Sequence, residues 1–444
     1  MTDRSVSVVG GGLSGAEAAW MLATRGIPVI LYEMRPRATT PAHRTDGLAE
    51  VVCSNSFGAD STSSPGGILK EELRALGSLI LKCADEARVP AGKALAVDRD
   101  IFSRLVTETL ESHPLVTVVR EERLSVPEGP VILATGPLTA PAMAEEIRKM
   151  AGEEYLSFFD AVAPVVEADS IDMTKAFRLG RWGQEDDYIN CPFAREEYEA
   201  FISALTGAER TLPHDFEDSP SWFEGCLPVE VMASRGTDTL RFGPLRPVGL
   251  PLPGTGEEAW AVAQLRQDNR EGTLYNLVGF QTSLRWGEQE RVFRMIPGLA
   301  EAEFARFGVM HRNIYVNAPA VLDSRLRFRN GREDLFLAGQ ITGVEGYMES
   351  TAMGCVAALN MAALLLGKPF PEWPRETAVG SLLHYLGDAL ERRFQPMNVN
   401  LGIFPPLEKK IRNKVLRCEQ VALRAKDSFA PFLTRLAELA GAGR

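Results

Sequence analysis

The sequence lacks a run of eighteen or more consecutive apolar residues, so no spanning helix is expected and no membrane partner. Its opening, MTDRSVSVVGGG, has neither the long apolar centre nor the small-residue cleavage site of an export signal, so a cytoplasmic location is expected. The six cysteines, Cys53, Cys83, Cys191, Cys226, Cys355 and Cys418, form no CxxC pair. The five histidines form no HExxH or His–Cys cluster, which argues against a metal site. Internal repeats and low-complexity stretches are absent. At 45% hydrophobic and 24% charged residues the chain is too apolar for a disordered protein and too polar for a membrane one.

What is present is a long, acidic, ordinary globular composition. A chain of 444 residues exceeds what one hydrophobic core usually organises, so two or more folding units are expected. The formal net charge of −11 repels phosphates over the surface as a whole. Residues 381–444 depart from that balance, with eleven Lys and Arg against six Asp and Glu. Such asymmetry marks either a basic docking face or a solvated terminal helix pair.

Ser5–Val9 alternates toward a buried strand and runs directly into Gly10-Gly11-Gly12-Leu13-Ser14-Gly15. A helical stretch follows and closes at Gly26, and Pro28–Tyr32 reads as a second strand ending on Glu33. This is a dinucleotide-binding βαβ unit. Gly10 supplies the tight turn, Gly12 lets a pyrophosphate approach the backbone, and Gly15 brings helix and strand together. The free N–H groups at the helix start bind the anion, and Glu33 is placed to accept the adenosine ribose hydroxyls. Two further apolar strands end in glycine turns. One is VILATGP at 131–137. The other is LFLAGQ at 335–340, followed by Ile341-Thr342-Gly343 and a helix-like run. A chain that returns to the nucleotide after some 300 residues resembles large flavin-binding domains more than nicotinamide dehydrogenases. FAD, held without covalent attachment, is therefore the expected cofactor, with Gly339, Gln340 and Gly343 contributing from the second end. No second GxGxxG is present, so NAD(P)H would visit transiently as a co-substrate or bind without that motif.

The expected architecture is α/β: a Rossmann-type FAD-binding domain formed by both ends of the chain, residues 1–165 and 321–444, around a smaller inserted α/β domain at 166–320. The insertion is rich in turns and tryptophan and carries the rigid loop GPLRPVGLPLPG at 243–254. Cys53 lies in AEVVCSNSFG, after what reads as a helix turn, and Cys226 in FEGCLPVE. Both look like loop thiols open to a ligand, although inert cysteines fit the local sequence equally well.

The blocks TPAHRTDGLAEVVCSNSFG, EGCLPVE, GFQTSLRWGEQERVF, GVMHRNIYVNAP, LFLAGQITGVEGYMESTAMG and FQPMNVNLGIFPP resemble the bacterial folate- and FAD-dependent tRNA (uracil-5-)-methyltransferases, over nearly the whole chain. The resemblance implies a tRNA substrate methylated at a T-loop uridine. The carbon would come from 5,10-methylenetetrahydrofolate and the electrons from NAD(P)H through FAD. Uracil C5 is a poor nucleophile until a thiolate adds at C6, and its C5 proton must afterwards be removed. The resemblance makes Cys226 the nucleophile and Cys53 the base. It places His311 on the folate pterin, while Arg285 and Trp286 suit folate or an extruded base. Arg325, Arg327, Arg329 and Arg332, with Lys409, Lys410, Arg412, Lys414 and Arg417, would contact the RNA backbone. The alternation at 325–329 suggests one face of a strand. The same chemistry on ribosomal RNA, a related FAD-dependent wobble-uridine modification of tRNA, a flavin oxidoreductase of a small metabolite and a non-catalytic FAD-binding scaffold stand as alternatives at this point.

Overall fold

The structure, a computed structural model, describes residues 5–440 apart from 41, 153–154, 184–185, 212–226, 330, 389–393 and 410. The side chains of 155–161, 310–312, 388 and 438–440 also lie outside the description.

Five strands form a wholly parallel sheet: β1 (Val6–Val9), β2 (Val29–Glu33), β3 (Val116–Arg120), β4 (Val131–Leu133) and β5 (Leu335–Leu337). Their spatial order is β5-β4-β1-β2-β3. The sequences VSVV, VIL and LFL are buried along their whole length, as befits central strands covered on both faces. Helix α1 (Leu13–Ala23) crosses from β1 to β2 and packs against α3 (Tyr347–Leu365), the most extensive helix–helix contact among the described elements. Helix α3 is long and apolar enough to cross a membrane, yet 89% of its apolar window is buried inside the fold. It is a core helix. The α1/α3 contact brings the two ends of the chain into one core with the parallel sheet.

The segment between them is built differently from the α/β unit expected. Among the described residues its six sheet strands follow the order Phe177–Arg178, Tyr188–Phe193, Ala261–Gln267, Leu274–Leu277, Val165–Glu167, Phe304–Arg306, and every pairing between them is antiparallel. For one central pair the physical reason is connection length. The six residues joining Ala261–Gln267 to Leu274–Leu277 make a hairpin, whereas a parallel pair needs a crossover of a dozen residues or more. Helices Arg195–Thr206, Val229–Ser234 and Trp286–Phe293 contribute to a second apolar core in which Phe193, Phe201, Phe280 and Phe293 interlock. A two-stranded antiparallel ribbon, Tyr155–Ala161 with Met310–Val316, joins the outgoing and returning chain.

A second helix, α2 (Pro65–Ala75), is capped by Ser64, whose side chain accepts from the Gly67 N–H. The terminal helix Lys414–Ala440 packs on α2 through one apolar face, with Cys418, Val421 and Ala425 buried. Lys409, Arg412, Lys414 and Arg417 are exposed, and Lys410 lies outside the described residues. Arg325–Arg329 is not a strand. Leu326 takes a left-handed φ of 66°, which breaks the alternation, and Arg325 and Arg327 both lie over the Phe370 ring, at 4.1 and 5.4 Å from its centroid.

A Cβ at Gly15 would sit 1.8 Å from the Gly10 carbonyl oxygen, whereas one at Gly12 would meet nothing within 4 Å. Gly15→Ala is therefore expected to cost ~1–3 kcal/mol and Gly12→Ala less than about 0.5 kcal/mol. Denaturation midpoints of the two variants measure the difference.

Candidate active site

One cavity of about 520 Å³ runs from the first glycine turn to the start of α3. At its nucleotide end Gly10 turns the chain with φ 105°, packed so closely on Ala134 that a Cβ would lie 2.4 Å from that residue's carbonyl oxygen. Gly11, Gly12, Leu13 and Ser14 line the cavity, and Gly12 caps α1 without a side chain. The uncapped N–H groups and positive end of α1 thus form an anion cradle. Among the described residues the buried Ser14 hydroxyl has no hydrogen-bond partner. Uncapped N–H groups and an orphaned hydroxyl at one helix start fit the pyrophosphate of a dinucleotide.

Glu33 lines the same end, and its carboxylate is already engaged. Oε2 accepts the Gly11 N–H at 3.0 Å, and Oε1 accepts from the backbone and side chain of Arg35 at 3.0 and 2.8 Å. Burial works to raise its pKa, but the Arg35 and Gly11 bonds outweigh it and hold the carboxyl below its ordinary value. Arg35, which also pairs with Glu50 at 2.8 Å, had no signal in the motif. At the second end Gly339 and Gln340 line the cavity, whereas Gly343 does not. Gly343 has φ 91°, and its missing Cβ leaves room for the Phe394 ring, whose nearest atom would lie 2.3 Å away. Its glycine serves the turn. Gly15 likewise serves packing.

Cys53 lines the cavity from a loop. The helix turn expected before it is absent: Ala49 takes φ 52°, and its N–H donates to the Gly11 carbonyl, tying this loop to the nucleotide turn. Tyr347, the first residue of α3, meets the loop with its hydroxyl. The N–H groups of Cys53 and Ser54 donate to it at 2.9 and 3.3 Å, and Cys53 Sγ lies 2.8 Å away. With both lone pairs taken, the phenolic proton is directed to sulfur, the geometry that suits a thiolate. Burial pushes the Tyr347 pKa up and keeps that proton in place.

Two buried guanidiniums, Arg99 and Arg266, and the half-buried Arg306 back the loop. Arg99 donates to the Val51 carbonyl and pairs with Asp268, Arg306 donates to the Val52 carbonyl, and Arg266 donates to Asn55 and Ser54. Burial, reinforced by the neighbouring Arg99, lowers the Arg306 pKa to about 10. Positive charge of this kind favours a thiolate over a thiol. None of these cations lay near Cys53 in sequence. Strand pairing and the Asn55 amide, which donates to the Gln267 carbonyl, bring them there.

Cys226 and the His311 side chain lie outside the described residues; the His311 backbone is part of the ribbon, opposite Asp160. The chain that follows Cys226 is anchored. The Val229 N–H donates to the Gln281 carbonyl at 2.7 Å, and buried Glu230 accepts from the Thr282 hydroxyl and from the Ser283 N–H and hydroxyl. Gln281 and Asn313 line the main cavity. Arg285 and Trp286 do not. They border a second cavity of about 490 Å³ with Thr211, Ser283 and Gly308. Arg285 pairs with Glu209 at 2.8 Å, and exposed Trp286 stacks on Phe307 at 5.6 Å.

Tyr347→Phe removes the hydroxyl shared by the thiol and two N–H groups. We expect the pH midpoint for alkylation of Cys53, read by peptide mass spectrometry, to rise by at least about one unit.

A glucose inhibited division protein A family model matches residues 5–369. Three relatives carry the name methylenetetrahydrofolate--tRNA-(uracil-5-)-methyltransferase TrmFO. That of Desulforudis audaxviator is 58% identical over 98% of this chain and 99% of its own. Those of Moorella thermoacetica and Listeria monocytogenes are 58% and 54% identical over 96% of this chain, covering 97% and 98% of their own. Among solved structures, Aquifex aeolicus GidA matches with a TM-score of 0.69 at 17% identity, over 98% of this chain and 75% of that one, which shows a shared fold. On the family model and these full-length identities, the chain belongs to the glucose inhibited division protein A family and to the methylenetetrahydrofolate--tRNA-(uracil-5-)-methyltransferases.

Proposed function

We propose that this protein methylates C5 of a uridine in tRNA, in the T-loop, with 5,10-methylenetetrahydrofolate as the carbon source. NAD(P)H supplies the electrons through non-covalent FAD. The observation that carries the reading is that the glycine turn and Cys53 border one cavity, in a chain 58% identical over nearly full length to an enzyme named for this reaction.

Gly10, Gly11, Gly12, Leu13 and Ser14 with the start of α1 would hold the FAD pyrophosphate, Glu33 the adenosine end, and Gly339 and Gln340 the far side. When bound, FAD would supply the two electrons that separate a methylene from a methyl group. The remaining work falls to the chain. Cys226 adds through sulfur to uracil C6, and the electron pair released onto C5 attacks the one-carbon unit. Cys53 takes the C5 proton, and the Cys226 sulfur then leaves C6 as C5=C6 re-forms. Tyr347 and the arginines behind the loop favour the ionised form of Cys53 that this task requires. His311 would face the folate pterin, and Arg285 with Trp286 would hold folate or the extruded base from the second cavity. In this division residues 1–165 and 321–444 hold the cofactor and 166–320 closes over it. The exposed Lys409, Arg412, Lys414 and Arg417 offer phosphate contacts on an otherwise acidic body.

The test is incubation of the protein with unmodified tRNA, methylenetetrahydrofolate and NAD(P)H, with any new methyl group mapped by mass spectrometry. A methyl on a T-loop uridine is expected, with the rate lowered at least about 100-fold by Cys53→Ala. Methylation of ribosomal RNA alone, or of a wobble uridine, would reject the reading.

A further inference from the structure

The cavity has a cation that the reaction scheme does not use. Lys70, on α2, is 1% exposed and lines the end where α3 begins, the same end as Cys53. Two of its three N–H donors are spent on the carbonyls of Ala59, at 2.9 Å, and Gly66, at 3.3 Å. Among the described residues it has no carboxylate within ion-pair distance. Asp60, one of the two carboxylates whose charge reaches it, is held by Arg74 and Arg88 at 2.9 and 2.5 Å. Glu349, the other, is buried and accepts the Val399 N–H at 2.9 Å. Burial raises the Glu349 pKa, toward the neutral form. Burial likewise lowers the Lys70 pKa to about 8, with Arg74 and Arg88 adding to the effect, so the amine remains largely protonated at neutral pH.

A buried ammonium without a counter-ion is costly, and proteins keep one where an anion arrives. Within the cavity a pyrophosphate would have its own cradle, at the start of α1 around Gly12 and Ser14. The anion left for Lys70 belongs to the other half of a dinucleotide spanning the cavity. For a flavin, that half becomes negatively charged along N1–C2=O on two-electron reduction, and charge near those atoms tunes it. We propose that Lys70 is the cation that stabilises the reduced, anionic flavin ring in this protein.

The inference rests on the FAD reading, and the experiment separates the two. FAD affinity is measured first, by fluorescence; a wild-type protein that does not bind FAD removes the reading itself. Sulfite then serves as the probe, because it forms a bond to flavin N5 and leaves the same negative charge on N1–C2=O without any other reductant. Lys70→Met is expected to weaken sulfite binding at least tenfold while FAD affinity changes less than threefold, and Lys70→Arg to restore most of the loss. Equal sulfite affinity in wild type and Lys70→Met would overturn the proposal. So would a loss of FAD binding in Lys70→Met that Lys70→Arg does not repair.

Discussion

The close enclosure of the first turn of α1 is the constraint on which the rest of the structure depends. A Cβ at Gly15 would lie 1.8 Å from the Gly10 carbonyl oxygen, one at Gly354 2.3 Å from the Ser14 carbonyl oxygen, and one at Gly339 2.8 Å from Ser14 Cβ. Three glycines, two of them more than 300 residues away in sequence, thus leave room for one helical turn. Because α1 and α3 meet there without side chains between them, the helix start points into the cavity with its N–H groups unspent. Both ends of the chain are then committed to one core before any ligand is considered.

From that contact the placement of chemistry follows. Helix α3 begins with Tyr347, and its hydroxyl holds the Cys53 loop by two backbone N–H groups and the sulfur. The loop in turn touches the nucleotide turn through Ala49 and the antiparallel sheet through Asn55, Arg266 and Arg306. A thiol located in this way faces the same space as the anion cradle. The guanidiniums of Arg99, Arg306 and Arg266 hold the residues on either side of it, Val51, Val52 and Ser54.

Much of this was legible in the sequence where the signal is local. GGGLSG between a strand and a helix, with Glu33 closing the next strand, specifies a turn in which Gly10, Gly11 and Gly15 answer to close packing while Gly12 leaves the start of α1 open to the cavity. VIL and LFL announce buried parallel strands by composition alone. Gly343 shows the limit of the pattern, since it does not line the cavity and its left-handed turn makes room for Phe394. The helix turn expected before Cys53 failed because Ala49 is drawn into a left-handed conformation by its bond to Gly11, a tertiary contact. Alternation at Arg325–Arg329 failed for a similar reason, with Leu326 turned to φ 66°. Tyr347, Arg99, Arg266 and Arg306 were invisible because their meaning lies in partners 48 to 294 residues distant.

The proposed reaction requires that a sulfur of this chain activate uracil in RNA beside the cofactor cavity. It is tested most directly with tRNA containing 5-fluorouridine, whose fluorine cannot leave C5 as a proton does, so the sulfur stays bound. In the presence of methylenetetrahydrofolate and NAD(P)H the account predicts a protein–RNA adduct that survives denaturation, with the peptide bearing Cys226 attached to the nucleotide. The absence of any adduct from a protein that methylates ordinary tRNA, or an adduct formed equally by Cys226→Ala, would contradict it.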